Sequence, residues 1–164
     1  DLTALGKVIG GGMPLAAFAG SWEVMKNLAP LGKVYQAGTL SGNPLATACG
    51  SKTLEILQRP GSYEYLAKIS ELICQGFRSL GKKHQVELSC DAEAGLFGVF
   101  FQPDLPLRAG EITNIAQTKF KEYFRGMLSQ GIYWPPSVFE ACFISLTHSF
   151  SASDSFSLSV SLSL

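Results

Sequence analysis

The sequence predicts a mixed α/β chain, and three observations carry that prediction. Glycine at positions 6, 10, 11, 12 and 20, with Pro14, breaks any helix over the first twenty residues and leaves short apolar runs suited to extended backbone. Leu66, Ile69, Ile73, Phe77 and Leu80 recur at three- and four-residue spacing, the signature of an amphipathic helix facing a core. The apolar, aromatic run "GLFGVFFQP" around Leu96 to Phe101 reads as a strand covered on both faces. With 164 residues, 46% of them apolar and 16% charged, the chain can bury a sizeable core. Its 13 basic and 13 acidic residues cancel, so no basic face recommends a nucleic acid or an anionic membrane surface as partner. No run approaches the roughly 18 apolar residues of a membrane-spanning helix, and the chain reads as soluble.

Taken in order, Val8-Ile9 and Leu15 to Ala19 are expected as extended segments joined by a tight glycine turn. Ser21 can cap a short helix from Trp22 to Ala29, stopped by Pro30 and Gly32. Asn43 is a good N-cap and Pro44 a good first helical residue, so a well-buried helix should run to about Gln58 before Pro60-Gly61 end it. Ser62 starts the next helix, and after Gly81 the pattern changes to strands, Val86 to Ser89 and then Leu96 to Phe101. A loop from Pro103 to Gly110 precedes a helix over about Ile115 to Ser129, capped by Thr113 or Asn114, with Ile115, Phe120, Phe124 and Leu128 inward and Gly131 as its stop. "GIYWPP" and "FEACFISL" read as strand, loop and strand. The expected division is 1–58, then an α+β unit 59–148, then a serine-rich tail 149–164 whose alternation is low-complexity in composition.

Four dispersed cysteines without a C-x-x-C pair, and only two histidines, support neither a zinc site nor a disulfide framework; reduced, mostly buried thiols are expected. Lys7 is the first candidate for chemistry. A lysine is ordinarily a solvated surface charge, but between Leu5, Val8 and Ile9 its ammonium would be partly desolvated, which favours the free amine for condensation with an aldehyde. The glycines beside it leave room for a flat ring. A phosphate-binding P-loop is excluded, because its glycines precede the lysine and a hydroxyl follows it, whereas here Val8 follows. A dinucleotide fingerprint fails because Gly10-Gly11-Gly12 opens no helix. "AGTLSGNP" is the second constellation: Thr39 and Ser41 supply hydroxyls, Gly38 and Gly42 let backbone amides approach, and a helix N-terminus points at the loop, an arrangement suited to a phosphate. Ordinary helix capping is the alternative. A flat aldehyde bearing a phosphate describes pyridoxal phosphate.

"DLTALGKVIGGGMPLAAFAG" resembles the lysine segment of the class III aminotransferases, a group of fold-type I pyridoxal-phosphate enzymes. "VYQAGTLSGNPLA", "PGSYEYLAKI", "RGMLSQGIY" and "PPSVFEACFISLTH" resemble one branch of that family, whose members move an amino group within a single substrate; the resemblance covers about residues 1 to 148. It implies the C-terminal part of a fold-type I transferase, the end of the large cofactor domain plus the small α+β domain. It implies pyridoxal 5'-phosphate, cycling through pyridoxamine phosphate, as cofactor, a small-molecule substrate and a homodimer sharing its sites across subunits. Lys7 would carry the cofactor and shuttle protons; Thr39, beside Gly38, would contact its phosphate from the neighbouring subunit; Glu140 would lie near the reacting atoms, a surface carboxylate being the alternative. His148 matches a family histidine and reads as structural. The chain reads as a piece of a longer protein, inactive alone, since the family's upstream phosphate loop, stacking aromatic and pyridine-pairing aspartate are not in it. The tail has the texture of a misread gene end, which points to a eukaryotic source and a plastid; in a bacterium the compartment would be the cytoplasm. A class III ω-aminotransferase and a non-catalytic truncated homologue remain as alternatives.

Overall fold

The computed structural model describes residues 1–149, so the alternating serines at 155–164 lie outside the described residues. The chain forms two compact units, Asp1–Pro60 and a second from Gly61 on.

In the first unit, β1 (Leu2–Leu5) pairs antiparallel with β2 (Ala17–Gly20), Leu2 opposite Gly20 and Leu5 opposite Ala17. Val8-Ile9, expected as extended, instead lie in a 3-10 turn, Lys7–Gly10. The reason is local: Lys7 takes a φ of 54° and Gly11 one of 58°, so the chain curls after Leu5, and the Gly11 amide donates to the Val8 carbonyl at 3.0 Å. α1 spans only Trp22–Met25 and stops short of Ala29. Beyond it the backbone turns back on itself, the Ala29 amide donating to Val34 and the Val34 amide to Asn27, each at 2.9 Å. α2 (Pro44–Leu57) begins as expected, Pro44 filling the position whose N–H has no helical partner while the Asn43 side chain accepts from the Ala46 amide at 2.9 Å. It is not well buried, contrary to expectation. Only Ala46 and Gly50 are, while Leu45 and Leu54 are open, because the helix meets the Lys7 turn with its small residues and its leucines are spread over other faces.

In the second unit, α3 (Ser62–His84) runs past Gly81 and presents Leu66, Ile69, Ile73 and Phe77 to the core, with Leu80 partly buried beside them. Gln85, at φ 56°, ends it, and the Val86 amide donates to the Gly81 carbonyl at 2.9 Å. That bond holds Val86 against the helix end, and the first strand therefore starts later than expected, as β3 (Ser89–Glu93). β4 (Leu96–Phe100) pairs with it, Cys90 opposite Val99, and with β5 (Cys142–Phe143), giving an antiparallel sheet in the order β3-β4-β5. β4 is covered on one face: Phe97 and Val99 are buried, but Leu96 is open and Phe100 half-buried. α4 (Asn114–Ser129) is capped by Thr113, whose hydroxyl accepts from the Ala116 amide at 3.1 Å. Its buried line is Ala116, Phe120, Tyr123 and Met127; of the residues expected inward, Phe120 is buried and Phe124 packs against the core, but Ile115 and Leu128 are open. Of the two final strands expected, only β5 forms. Residues 132–141 are irregular and deliver Trp134 into the core.

Rings dominate that core. Tyr123 and Trp134 meet edge to face with centroids 5.5 Å apart, and Phe77, Phe97, Phe101 and Phe120 surround them. Each such ring buried is worth roughly 1.5–3 kcal/mol, with about 0.5–1.5 kcal/mol more for well-oriented pairs. The buried polar groups Ser70 and Gln102 are satisfied. Ser70 Oγ donates to Leu66 and accepts from the Gly95 amide, pinning the β3–β4 turn to α3. Gln102 donates to the carbonyls of Asp104 and Glu111 and accepts from the Thr113 amide. The expectation of reduced thiols is corrected: Cys74 of α3 and Cys90 of β3, both buried, form a disulfide with Cα atoms 5.4 Å apart. Helix packing on strand brings together two cysteines that spacing alone could not pair. Cys49 and Cys142 are free thiols.

Candidate active site

Lys7 opens the 3-10 turn between β1 and β2, and its left-handed backbone is uncommon for a residue with a side chain. Such a conformation costs of order 1–3 kcal/mol and persists where the surroundings impose it, which is often at functional sites. The expected apolar enclosure of the lysine is not found in the first unit. Leu5 and Val8 are open, and so is Lys7, because the turn directs these side chains outward instead of stacking them as strand neighbours. Of the glycines expected to leave room beside the lysine, a Cβ built on Gly6 or Gly12 would meet nothing within 4 Å, whereas one on Gly10 or Gly11 would meet Leu15 or Thr53.

Gly38 and Thr39 lie in the turn that leads into α2. The Ser41 amide donates to Gly38 O at 3.0 Å and the Asn43 amide to Leu40 O at 3.2 Å, so these two backbone amides close the turn. The Asn43 side chain takes a third, that of Ala46. Thr39 is exposed, and among the described residues its hydroxyl has no partner. What remains for an anion is this hydroxyl, that of the exposed Ser41 and the positive end of a 14-residue helix. Lys7 and Thr39 thus each offer a group suited to one end of a phosphorylated aldehyde, an open primary amine on a constrained turn and an exposed hydroxyl at a helix start.

Glu140 belongs to the second unit, exposed in the turn before β5, where its amide donates to Ser137 O at 3.1 Å. It borders a groove of about 1080 Å³ whose walls include Ile69, Ile73, Phe97 and Trp134, with His148 also on the rim. A second groove, of about 390 Å³, reaches Glu140 from the side of Arg108. His148 is held within its own turn: its Nδ1 accepts from the Ser145 amide at 3.1 Å, and its carbonyl accepts from the Tyr65 hydroxyl at 2.8 Å. Cys142, next but one to Glu140, is a group that sequence reasoning passed over. Burial, helped by the nearby Glu140 carboxylate, pushes its thiol up from 9.0 to about 12, so it stays protonated. Its place became apparent only when β5 put it beside Phe97. Among the described residues no acidic, histidine or cysteine cluster could hold a metal ion, and no helix is long and apolar enough to cross a membrane.

The class III aminotransferase family profile matches residues 1–145. A glutamate-1-semialdehyde 2,1-aminomutase of Verminephrobacter eiseniae is 49% identical over 149 residues, covering 91% of this chain and 34% of that protein. The chain thus spans about a third of the length of the curated relatives it matches. An omega-transaminase from Sphaerobacter thermophilus superposes with a TM-score of 0.90 at 24% identity, over 100% of this chain and 38% of that one. A glutamate-1-semialdehyde-aminomutase from Pseudomonas aeruginosa, solved in complex with PMP, gives 0.79 at 19% identity, over 98% and 38%. At these identities the solved structures speak to the fold: mixed α/β, and part of the larger transaminase architecture.

Proposed function

The chain belongs to the class III aminotransferase family, and from that premise we propose that it forms a C-terminal portion of a glutamate-1-semialdehyde 2,1-aminomutase, an isomerase that converts its small-molecule substrate to 5-aminolevulinate for tetrapyrrole synthesis. The observation that carries the reading is the 49% identity to aminomutases across 91% of the chain. When bound, pyridoxal 5'-phosphate or its pyridoxamine form would supply the electron sink and the nitrogen carrier through which an amino group changes carbon. The work of this chain is to hold that group and move protons. Lys7 Nζ, on its constrained turn, would carry the cofactor and then act as the base and acid that takes a proton from one carbon and returns it to another. Thr39 Oγ would donate to the phosphate of the neighbouring subunit, which requires a homodimer. Glu140 would lie near the reacting atoms, as its resemblance implies.

Borohydride treatment of the intact enzyme with its cofactor should fix the cofactor to Lys7, as read by peptide mass spectrometry; a label on a different lysine overturns the assignment. Lys7→Ala should lower kcat by about 10²–10⁴-fold, the range for loss of a general acid–base group. An ω-aminotransferase needs a separate amino acceptor. Formation of 5-aminolevulinate without any added keto acid therefore supports the aminomutase, and dependence on a keto acid would replace it with the aminotransferase.

A further inference from the structure

We propose that Gly50 and Gly11 are positioning residues for Lys7: they let α2 lie directly on the turn that carries the lysine and so impose that turn's left-handed geometry. A side chain on Gly50 would overlap Leu15 Cδ2 and stand 2.8 Å from the Ile9 carbonyl oxygen. One on Gly11 would overlap Thr53 Oγ1 and stand 3.3 Å from the Cys49 carbonyl oxygen. The two approaches are reciprocal. A glycine of the helix meets the turn, a glycine of the turn meets the helix, and nothing larger than hydrogen separates the backbones at either point. Leu15 closes the gap from the other side, since a Cβ on Gly10 would stand 3.3 Å from its Cβ. Thr53 is itself fixed, its hydroxyl donating to the Cys49 carbonyl at 2.9 Å.

At its start the turn is tied by the Ile9 amide, which donates to the Gly6 carbonyl at 3.4 Å, and by the pairing of Leu5 with Ala17. The rest of the bracing comes from α2, whose residues 49–53 lie against Ile9, Gly11 and Leu15. The same helix begins five residues after Thr39, so one rigid rod supports both the hydroxyl loop at its start and the lysine turn at its middle. This inference rests on Lys7 being the cofactor lysine.

The test uses the intact enzyme, with amide exchange at Ile9 and Gly11 in the apoprotein and the rate of borohydride-fixable cofactor attachment as readouts beside kcat and KM. In Gly50→Ala the helix is pushed off the turn. Exchange at both amides should quicken, and attachment and kcat should fall by about 10- to 100-fold while KM changes by less than about twofold. Leu15→Ala, which adds no bulk, should show the same pattern in weaker form, and serves if Gly50→Ala fails to fold. Ser51→Ala, exposed on the same helix, should behave as the unmodified enzyme. A folded Gly50→Ala, or in its place Leu15→Ala, with unchanged exchange and unchanged attachment overturns the positioning role. A label away from Lys7 in the unmodified enzyme overturns the reading beneath it, and needs no variant to be seen.

Discussion

Tyr123 is 2% exposed, and among the described residues its hydroxyl is the buried side-chain polar atom left without a hydrogen-bond partner. Its ring is well packed, so the cost lies in the oxygen alone. Tyr123→Phe should therefore stabilise the second unit by about 1 kcal/mol in urea unfolding, whereas Tyr123→Ala, which also empties a ring-sized site, should cost about 3–5 kcal/mol. A destabilised Tyr123→Phe would mean that the hydroxyl has a partner after all. Cys142 makes a pH-dependent contribution whose sign follows from its raised pKa. The unfolded thiol ionises near 9.0 and the folded one near about 12, so the contribution is complete below pH 9 and is lost as pH climbs between those values. Burial raises Tyr123 in the same direction and steepens the alkaline loss. At pH 8, iodoacetamide should modify the half-buried Cys49 well before Cys142, and peptide mass spectrometry would read the order.

Among the elements, two of the expected caps were legible, while Ser21 makes no side-chain capping bond at the start of α1. Asn43 and Thr113 both act as their residue types predict, because an N-cap is a local hydrogen bond that needs no tertiary partner. Thr113→Ala should accordingly cost about 1 kcal/mol, measured as a shift in the urea midpoint without a change of slope. The strands were less legible. Val86 reads as strand by type, but the helix C-terminus captures its amide, and Leu96 faces outward because α3 and the core cover only the face of β4 that carries Phe97 and Val99. In α4 the buried face is marked by Ala116 and Tyr123, one too small and one too polar to be picked ahead of Ile115 and Leu128. The disulfide was illegible for the opposite reason: pairing Cys74 with Cys90 needs the packing of α3 on β3, which no local pattern encodes. It closes a loop of 16 residues, a constraint worth about 3 kcal/mol on the unfolded chain. Denatured without reductant, the chain should show thiols at Cys49 and Cys142 only; four reactive thiols would refute the bridge.

The two units differ in how far their own residues cover them. In the second, sixteen buried side chains form one cluster. In the first, its own residues bury only Gly10, Ala46 and Gly50, and leave every residue of β1 and β2, with Trp22, Leu31, Val34, Tyr35 and Leu40, uncovered. A two-stranded sheet of this kind is marginal by itself. The same contrast limits how much of the candidate site could be read from sequence. Lys7 and Thr39 are marked by glycines and a helix start, which are local signals, whereas the enclosure expected for Lys7 depends on side chains that these sixty residues do not bring to it. Glu140 carries no local signal beyond its resemblance. Stability should divide in the same way. Produced separately, residues 61–148 should melt cooperatively and keep the near-ultraviolet dichroism of their packed rings, with the transition moved down on reduction. Residues 1–60 should show neither, since burying three small residues offsets little of the about 1–2 kcal/mol per residue that ordering a backbone costs. A cooperative transition in 1–60 alone would show that the Lys7 turn and α2 hold together unaided, and would make the bracing of Lys7 a property of those sixty residues by themselves.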